Sequence, residues 1–385
     1  MMVARPGILF RAAFVGVMLL SGAAVQAQQV PQVVKVGVAA PMTGGNAAYG
    51  KDIDNGVRLA VDEANAQQIT IGGKPVKFVV VSQDDQADPR IGVQAAQNLV
   101  DGGVSVVVGH FNSGTTLPAS QIYAKAGIPM ITPAATNPQI TQSGLQTIYR
   151  VIATDAQNAG NAGAYATQIA KAKRIAIIDD RTAFGQGEAD EFERAVKAAN
   201  GTIVGREYTN DKAVDFSAQL TKIKSLNPDL VFFGGLDTQS AMIVKRMRQL
   251  GMKAQFLAGG GVMDATFIKL AGDAGEGAMV WEYGQPLNSL PQGKAFETKF
   301  KAKYGTDMLA YSPFAYDAAW VAIKAMKTAN SVNPADFNAA LKATDSSGIT
   351  GQIAFNRNGD LKNPTSTLYE VKNGAWVPVT TKAGI

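Results

Sequence analysis

The sequence predicts an α/β fold of two lobes, each a doubly wound parallel sheet, and three observations carry that expectation. Short β-branched runs alternate with helical patterns from Val33 onward. Such βαβα alternation implies a parallel sheet with helices on both faces. The rhythm runs once to Thr132 and restarts around residues 148–155. No long Pro/Ser/Gly linker separates the two series, so the chain is expected to cross between lobes at several short segments. A chain of 385 residues, 46% hydrophobic and 17% charged, has ordinary globular composition and length for two domains.

In order, the first series reads as strand 33–40, helix 49–66, strand 76–82, helix 89–101, strand 104–109, helix 115–126 and strand 129–132. The second reads as strand 174–179, helix 187–199, strand 202–208, helix 216–226, strand 230–233, helix 239–250 and strand 254–257, with Gly251 as a helix stop. Beyond Trp281 the pattern turns helical at 291–304, 313–328 and 334–343. Residues 348–378 read as strands and turns, marked by Asn358-Gly359 and Asn373-Gly374.

Composition removes several chemistries. The chain has no cysteine, which excludes disulfides, thiolate metal sites and cysteine nucleophiles. Its one histidine, His110, rules out a zinc site with two or three histidine ligands. Neither a metal nor a cofactor is expected. The net charge of +5 is spread among interspersed basic and acidic residues, so nucleic acid is not an expected partner.

Arg5 and Arg11 accompany the apolar stretch from Ala12 to Val25, which ends in Val25-Gln26-Ala27. This reads as a secretory signal cleaved after about Ala27, and a periplasmic location follows. The stretch is shorter than the ~20 residues a spanning helix needs. No cysteine follows it to carry a lipid anchor.

Four segments need weighing as sites. Gly45 to Lys51 fits seven positions of a P-loop, but Asp52 stands where Ser or Thr should hold magnesium, so the segment reads as a turn opening a helix. Gly259-Gly260-Gly261 lacks dinucleotide spacing and reads as a tight loop near a cleft. His110 reads as a hydrogen-bonded strand-end residue, and no Gly-x-Ser-x-Gly elbow offers it a nucleophile. The segments 109–116 and 131–137 carry more, because each joins a strand's carboxyl end to hydroxyls and free backbone N–H groups. Such a pair is suited to a carboxylate. Helix capping by Ser113 and Thr136 is the alternative, and these residues alone leave the choice open.

Those segments also carry a resemblance. With Lys35-Val36-Gly37 to Gly50, Asp84-Asp85, residues 109–120, 131–136 and 183–187, Phe233-Gly234-Gly235 and Gly275-Glu276-Gly277, the chain resembles the periplasmic branched-chain amino-acid-binding proteins of ABC transporters. The similarity runs over essentially the whole mature chain. It implies the type I periplasmic binding protein fold, with two lobes joined by a three-segment hinge. The lobes are expected at 28–154 with 283–366 and at 155–282 with 367–385.

By that resemblance Ser113, the Ala134 backbone and Thr136 hold a ligand carboxylate. Tyr49 and Tyr311 line the cleft from the first lobe, and Phe184 and Leu236 from the second. Asp155 falls at the first crossover, where related domains set an acid against the ligand ammonium. Two departures matter. The family's ammonium-binding glutamate corresponds to Gly260 and its accompanying tyrosine to Leu236, leaving Asp155 or Asp237 to compensate. The family's small disulfide corresponds to Ala87 and Asn112.

The expected function is therefore ligand capture, not catalysis: a monomer that binds a branched-chain or related hydrophobic amino acid and delivers it to a membrane permease. An amine-free aromatic or short aliphatic carboxylate is the alternative ligand, and ligand sensing the alternative role. An exported enzyme would have to use the acid pairs Asp84-Asp85 and Asp179-Asp180, which read as turn and capping acids.

Overall fold

The structure is a computed structural model and describes residues 1–4, 7 and 30–383. The apolar stretch from Ala12 to Val25 and the cleavage point at Ala27 lie outside the described residues. The fold below is that of the unit beginning at Pro31.

The first sheet has six strands. They are β1 (Gln32–Ala40), β2 (Thr70–Ile71), β3 (Lys74–Asp84), β4 (Val106–Gly109), β5 (Met130–Thr132) and β6 (Ile148–Arg150), in the order β2-β3-β1-β4-β5-β6. All neighbours are parallel except the β2–β3 hairpin. Its helices are α1 (Ala47–Ala66), α2 (Pro89–Asp101), α3 (Ser113–Lys125) and the short α4 (Gln139–Gln142). Alternate residues of one strand serve opposite faces. Val34, Val36 and Val38 pack with Val57 and Ala60 of α1, while Ala39 packs with Leu99 of α2 and Tyr123 of α3. A strand buried on both sides reads as a continuous apolar run, and β1 and β4 do so.

The second sheet repeats the plan. After α5 (Asp155–Ala164), which continues as one π-helical turn, come β7 (Ile175–Asp179), α6 (Ala183–Ala198), β8 (Ile203–Tyr208) and α7 (Ser217–Ser225). Then follow β9 (Leu230–Gly234), α8 (Asp237–Gln249), β10 (Gln255–Ala258), α9 (Ala265–Ala271) and β11 (Met279–Tyr283). Ile175 and Ile177 pack with Phe192 of α6, and Ala176 and Ile178 with Leu220 of α7 and Val244 of α8.

The chain then returns to the first sheet through α10 (Gly293–Tyr304), α11 (Ser312–Ala329) and α12 (Pro334–Lys342). Ala318 and Ala322 of α11 join the core above β1. A small hairpin, β12 (Asp345–Ser347) and β13 (Gln352–Ala354), precedes the final pair β14 (Thr365–Lys372) and β15 (Ala375–Ala383). That pair adds antiparallel strands to the second sheet, whose order is β15-β14-β11-β10-β9-β7-β8. The chain passes between the sheets at residues 151–154, 284–292 and 355–364.

The sequence missed α5 and α9 and started α6 four residues late, at Gly187 instead of Ala183. The buried face of α5 is built from Asn158, Ala159, Gly160, Asn161, Ala162 and Gly163, which give no apolar period to read. Thr182 caps α6 by accepting the Gly185 N–H at 3.0 Å, so Phe184 lies inside the first turn.

In each sheet the order reverses beside the first strand of the series, β1 next to β4 and β7 next to β9. Loops at the carboxyl ends of such neighbours diverge and leave a crevice, the usual ligand position in open α/β sheets.

Candidate functional site

At the first crevice, Phe111 and Ser113 follow β4, and Tyr49 lies in α1. Asn112 precedes α3 without a side-chain cap, and Ser113 does not cap it either. The Thr115 and Thr116 hydroxyls donate back to the Asn112 carbonyl at 2.9 and 2.8 Å, so they close the turn. Ser113 Oγ accepts the Asn137 N–H at 3.3 Å, tying the loop after β4 to the loop after β5. Among the described residues the Ser113 and Gly114 N–H groups, at the positive end of α3, meet no acceptor.

The loop after β5 is held from behind. Thr132 Oγ1 accepts the N–H groups of Ala134 and Ala135 at 3.3 and 2.8 Å. Arg150, fully buried in β6, donates to the carbonyls of Ala135 and Asn137 at 3.1 and 2.9 Å. Its charge is paired with Asp360 at 2.8 Å, so its planar fork serves the loop and the ion pair together. The result presents Thr136, whose buried Oγ1 has no hydrogen-bond partner.

His110 stays outside the cleft. Its ring is buried between Asp85 Oδ2, 2.7 Å from Nδ1, and the Tyr123 hydroxyl, 3.1 Å from Nε2. Asp85 also accepts the Ala87 N–H at 3.0 Å, so this contact joins the loop carrying Ala87 to the loop carrying Asn112. Those are the two positions that correspond to the family's small disulfide, which this chain lacks. The other acids considered for catalysis are engaged too. Asp84 accepts from Met42 and Thr43, Asp179 pairs with Arg206 at 2.8 Å, and Asp180 accepts from Thr182.

Aromatic rings line the first lobe. Tyr49 stacks on Phe111 with centroids 5.1 Å apart, and Tyr311 meets both edge-on at 5.6 and 5.0 Å. Asp52 fixes the Tyr311 turn by accepting N–H groups from Leu309, Tyr311 and Ser312 at 2.7–3.0 Å. The residue that spoils the P-loop pattern is thus a buried turn anchor.

At the second crevice, Phe184 is half-buried and belongs to none of the core clusters. Leu236 precedes α8 and packs against the aromatic side of the first lobe. Asp237 opens α8; burial, reinforced by the nearby Asp264, pushes its carboxyl up to about 6. The Tyr49 hydroxyl donates to Asp264 at 3.3 Å, and the Asn137 amide donates to the Ala183 carbonyl at 2.7 Å. The two sheets therefore touch across the cleft on both flanks. A cleft of about 330 Å³ on one flank is lined by Asn137, Ala183, Gly187 and Glu191.

Between the flanks is a group of buried acids. Asp155 opens α5 behind the Thr154–Gln157 capping box, and its N–H donates to the Thr136 carbonyl at 3.0 Å. Both its carboxylate oxygens are unpartnered. The Thr136 hydroxyl lies close enough to favour the Asp155 charge, though the two form no hydrogen bond of good geometry. Glu188 of α6 accepts the Gly260 N–H at 2.9 Å and the Tyr283 hydroxyl at 3.4 Å on Oε1, while Oε2 has no partner. Glu282 is satisfied by N–H groups of Gly261, Met263 and Tyr283. Burial pushes Asp155 and Glu282 up to about 7, and it raises Glu188 strongly, with Asp155 adding repulsion.

Of the residues the sequence singled out, Ser113, Ala134, Thr136 and Asp155 form one continuous edge. Tyr49, Tyr311 and Leu236 form the apolar wall, and Asp237 sits at its far end beside Asp264. Gly260 is covered by the Tyr283 ring, 2.1 Å from where a Cβ would stand. Sequence reasoning passed over Phe111, Arg150, Glu188, Glu282 and Tyr283. Glu188 had a signal: it falls on the line Phe184–Glu188–Phe192, at the i, i+4 spacing of a buried helix face.

The model of the periplasmic binding protein family matches residues 33–375. A Leu/Ile/Val-binding protein homolog 1 from Brucella suis is 35% identical over 343 residues, 89% of this chain and 91% of the relative. The solved leucine-binding protein of Thermotoga maritima superposes with a TM-score of 0.83 at 28% identity, over 90% of this chain and 98% of its own. A branched-chain amino-acid transporter substrate-binding protein from Streptococcus pneumoniae, solved with isoleucine, gives 0.79 at 26% identity, over 91% and 99%. Among the described residues no helix is long and apolar enough to cross a membrane. With the family model spanning both sheets and all three crossings, the chain belongs to the periplasmic binding protein family and has its two-lobed α/β fold.

Proposed function

We propose that this protein is the extracytoplasmic binding subunit of an ABC transporter, that it captures a hydrophobic amino acid of the branched-chain class, and that it delivers it to a membrane permease. The lobes are 28–154 with 284–364 and 155–283 with 365–385, one or two residues from the expected limits because Tyr283 ends β11 and Thr365 opens β14 in the second sheet, and residues up to about Ala27 are removed on export. It acts as a monomer and carries out no catalysis.

The observation that carries the reading is the edge formed by Ser113, Ala134 and Thr136, with the unpartnered Thr136 hydroxyl, beside the wall of Tyr49, Phe111 and Tyr311. A carboxylate takes the hydroxyls and the N–H groups at the start of α3. An aliphatic side chain takes the rings, Leu236 and Phe184. Contacts such as Asn137 to Ala183 exist only when the lobes are together. A ligand touching both lobes shifts the open–closed balance by its extra contacts in the closed form.

The test is a thermal-shift screen of ligand-stripped protein with the amino acids and matched amine-free acids. A binder at 100-fold its dissociation constant stabilises by about 2.7 kcal/mol, a shift of several degrees. Stabilisation by leucine, isoleucine or valine supports the reading; stabilisation by none of them contradicts it.

A further inference from the structure

We infer that Glu188, together with Asp155, grips the ligand's ammonium group and so replaces the acid missing at position 260. The inference rests on the amino-acid reading above and deepens it, by naming which charged groups on this chain select an amine.

Three oxygens of the buried acid group are unpartnered: Asp155 Oδ1, Asp155 Oδ2 and Glu188 Oε2. An ammonium carries three N–H donors and no acceptor. Isolated carboxylates are costly to bury unless a cation or proton accompanies them. No such cation comes from the nearby chain. Arg150 reaches Asp155 through its field, but its guanidinium is occupied by Asp360, Thr141 and two carbonyls. Glu282 is filled by backbone donors, so it shapes the loop after β10 instead of facing a ligand.

The backbone leaves room for these two acids. A Cβ at Gly259 would stand 2.0 Å from Glu188 Oε1, and one at Gly187 would stand 2.8 Å from Asp155 Oδ2. Each glycine opens the space that one carboxylate fills. Gly260 gives its N–H to Glu188, so the loop that lacks an acidic side chain orients the acid that comes from α6. The Tyr283 ring blocks a side chain at 260, which leaves α6 as the route for a carboxylate.

The acids also stand where an α-amino acid needs them. Asp155 is bonded through its N–H to the Thr136 carbonyl, so the amine end adjoins the carboxylate end. Ligands with both charges on one carbon fit that spacing; amine-free acids leave two buried carboxyls unanswered. Burial raises the proton affinity of Asp155 and Glu188, and a cation between them would offset that cost.

The experiment is calorimetric titration of stripped wild-type protein, Glu188→Gln and Asp155→Asn. The ligands are leucine, isoleucine and valine, each beside the acid of the same skeleton without the amine. The wild type is expected to prefer the amino acids. Each variant is expected to bind them about tenfold to a hundredfold more weakly and to bind the amine-free acids no worse. Unchanged amino-acid affinity in both variants overturns the inference while leaving the amino-acid reading intact. Loss of both ligand types in both variants also overturns it, since an ammonium contact has no part in holding an amine-free acid. A wild type that prefers the amine-free acids overturns both.

Discussion

The two lobes share one strand plan and offer opposite chemistry at corresponding edges. In the first, the loops after β4 and β5 present hydroxyls and N–H groups, with the buried Arg150 turned inward to hold the backbone. In the second, α6 presents the Glu188 carboxylate, held by an N–H of the loop after β10, and Asp155 stands beside it at the crossing. Topology therefore fixes where a ligand sits, and the side chains at each crevice fix which end of it goes where. On the proposed reading a dipolar ligand is held in one orientation, its negative end on the donors of one lobe and its positive end on the acceptors of the other. Closure needs both.

The largest expected effect breaks the donor side from behind. Arg150→Met leaves Asp360 unpaired and frees the carbonyls of Ala135 and Asn137. Removing one partner of a buried pair destabilises by about 3–5 kcal/mol, and a denaturant melt reads it directly. A melt unchanged within ~1 kcal/mol would remove Arg150 from the account.

Next comes the donor side itself. Ser113→Ala combined with Thr136→Ala should weaken ligand binding by about 3 kcal/mol, roughly a hundredfold, because donors to a charged group are lost. The melt of the unliganded variant should fall by only about 1 kcal/mol, from the Asn137 N–H that loses Ser113 Oγ, since the Thr136 hydroxyl has no partner in the fold. Unaltered affinity by calorimetry would move the carboxylate elsewhere.

The acid side answers to pH instead. Asp155 is raised from 3.8, and Glu282 from 4.5, to about 7 by burial. The folded form thus holds protons that the unfolded chain releases. Stability from these groups is fully present below about pH 4 and is lost as pH rises through 7. The unliganded protein should lose several kcal/mol across that window, on the order of 3–4 for each group. A saturating amino acid should remove the Asp155 part of that slope, because its ammonium stabilises the ionised carboxylate, while Glu282, filled by backbone donors, keeps its part. Parallel melts from pH 4 to 8 with and without ligand measure both, and identical slopes would contradict the ammonium's position.

The smallest effect probes the frame that aims Glu188. Thr182→Ala removes the α6 cap and should cost about 1 kcal/mol by thermal or denaturant melting. An accompanying fall in amino-acid affinity would show that the cap also positions the acid.

The fold was largely legible because buried parallel strands and amphipathic helices announce themselves along the chain. Helix α5 was not, since Gly and Ala pack closely without leaving a period, and neither was the reach of α6 to Thr182. The donor edge was legible from hydroxyls at strand ends, and the resemblance gave Asp155 its place. Glu188 was harder to see because an acid in a helix usually marks the solvent face. What makes it functional lies 72 residues away, where Gly260 donates to it. Phe111 was passed over for a related reason: its partners, Tyr49 and Tyr311, lie in other segments and only folding stacks them.

The most direct test of the two-ended site is a crystal structure of the stripped protein soaked with leucine. The account predicts the ligand carboxylate on Ser113 and Thr136, and the ammonium within hydrogen-bonding distance of Asp155 and Glu188. An ammonium turned toward Asp237 and Asp264, or a carboxylate facing Glu188, would contradict it.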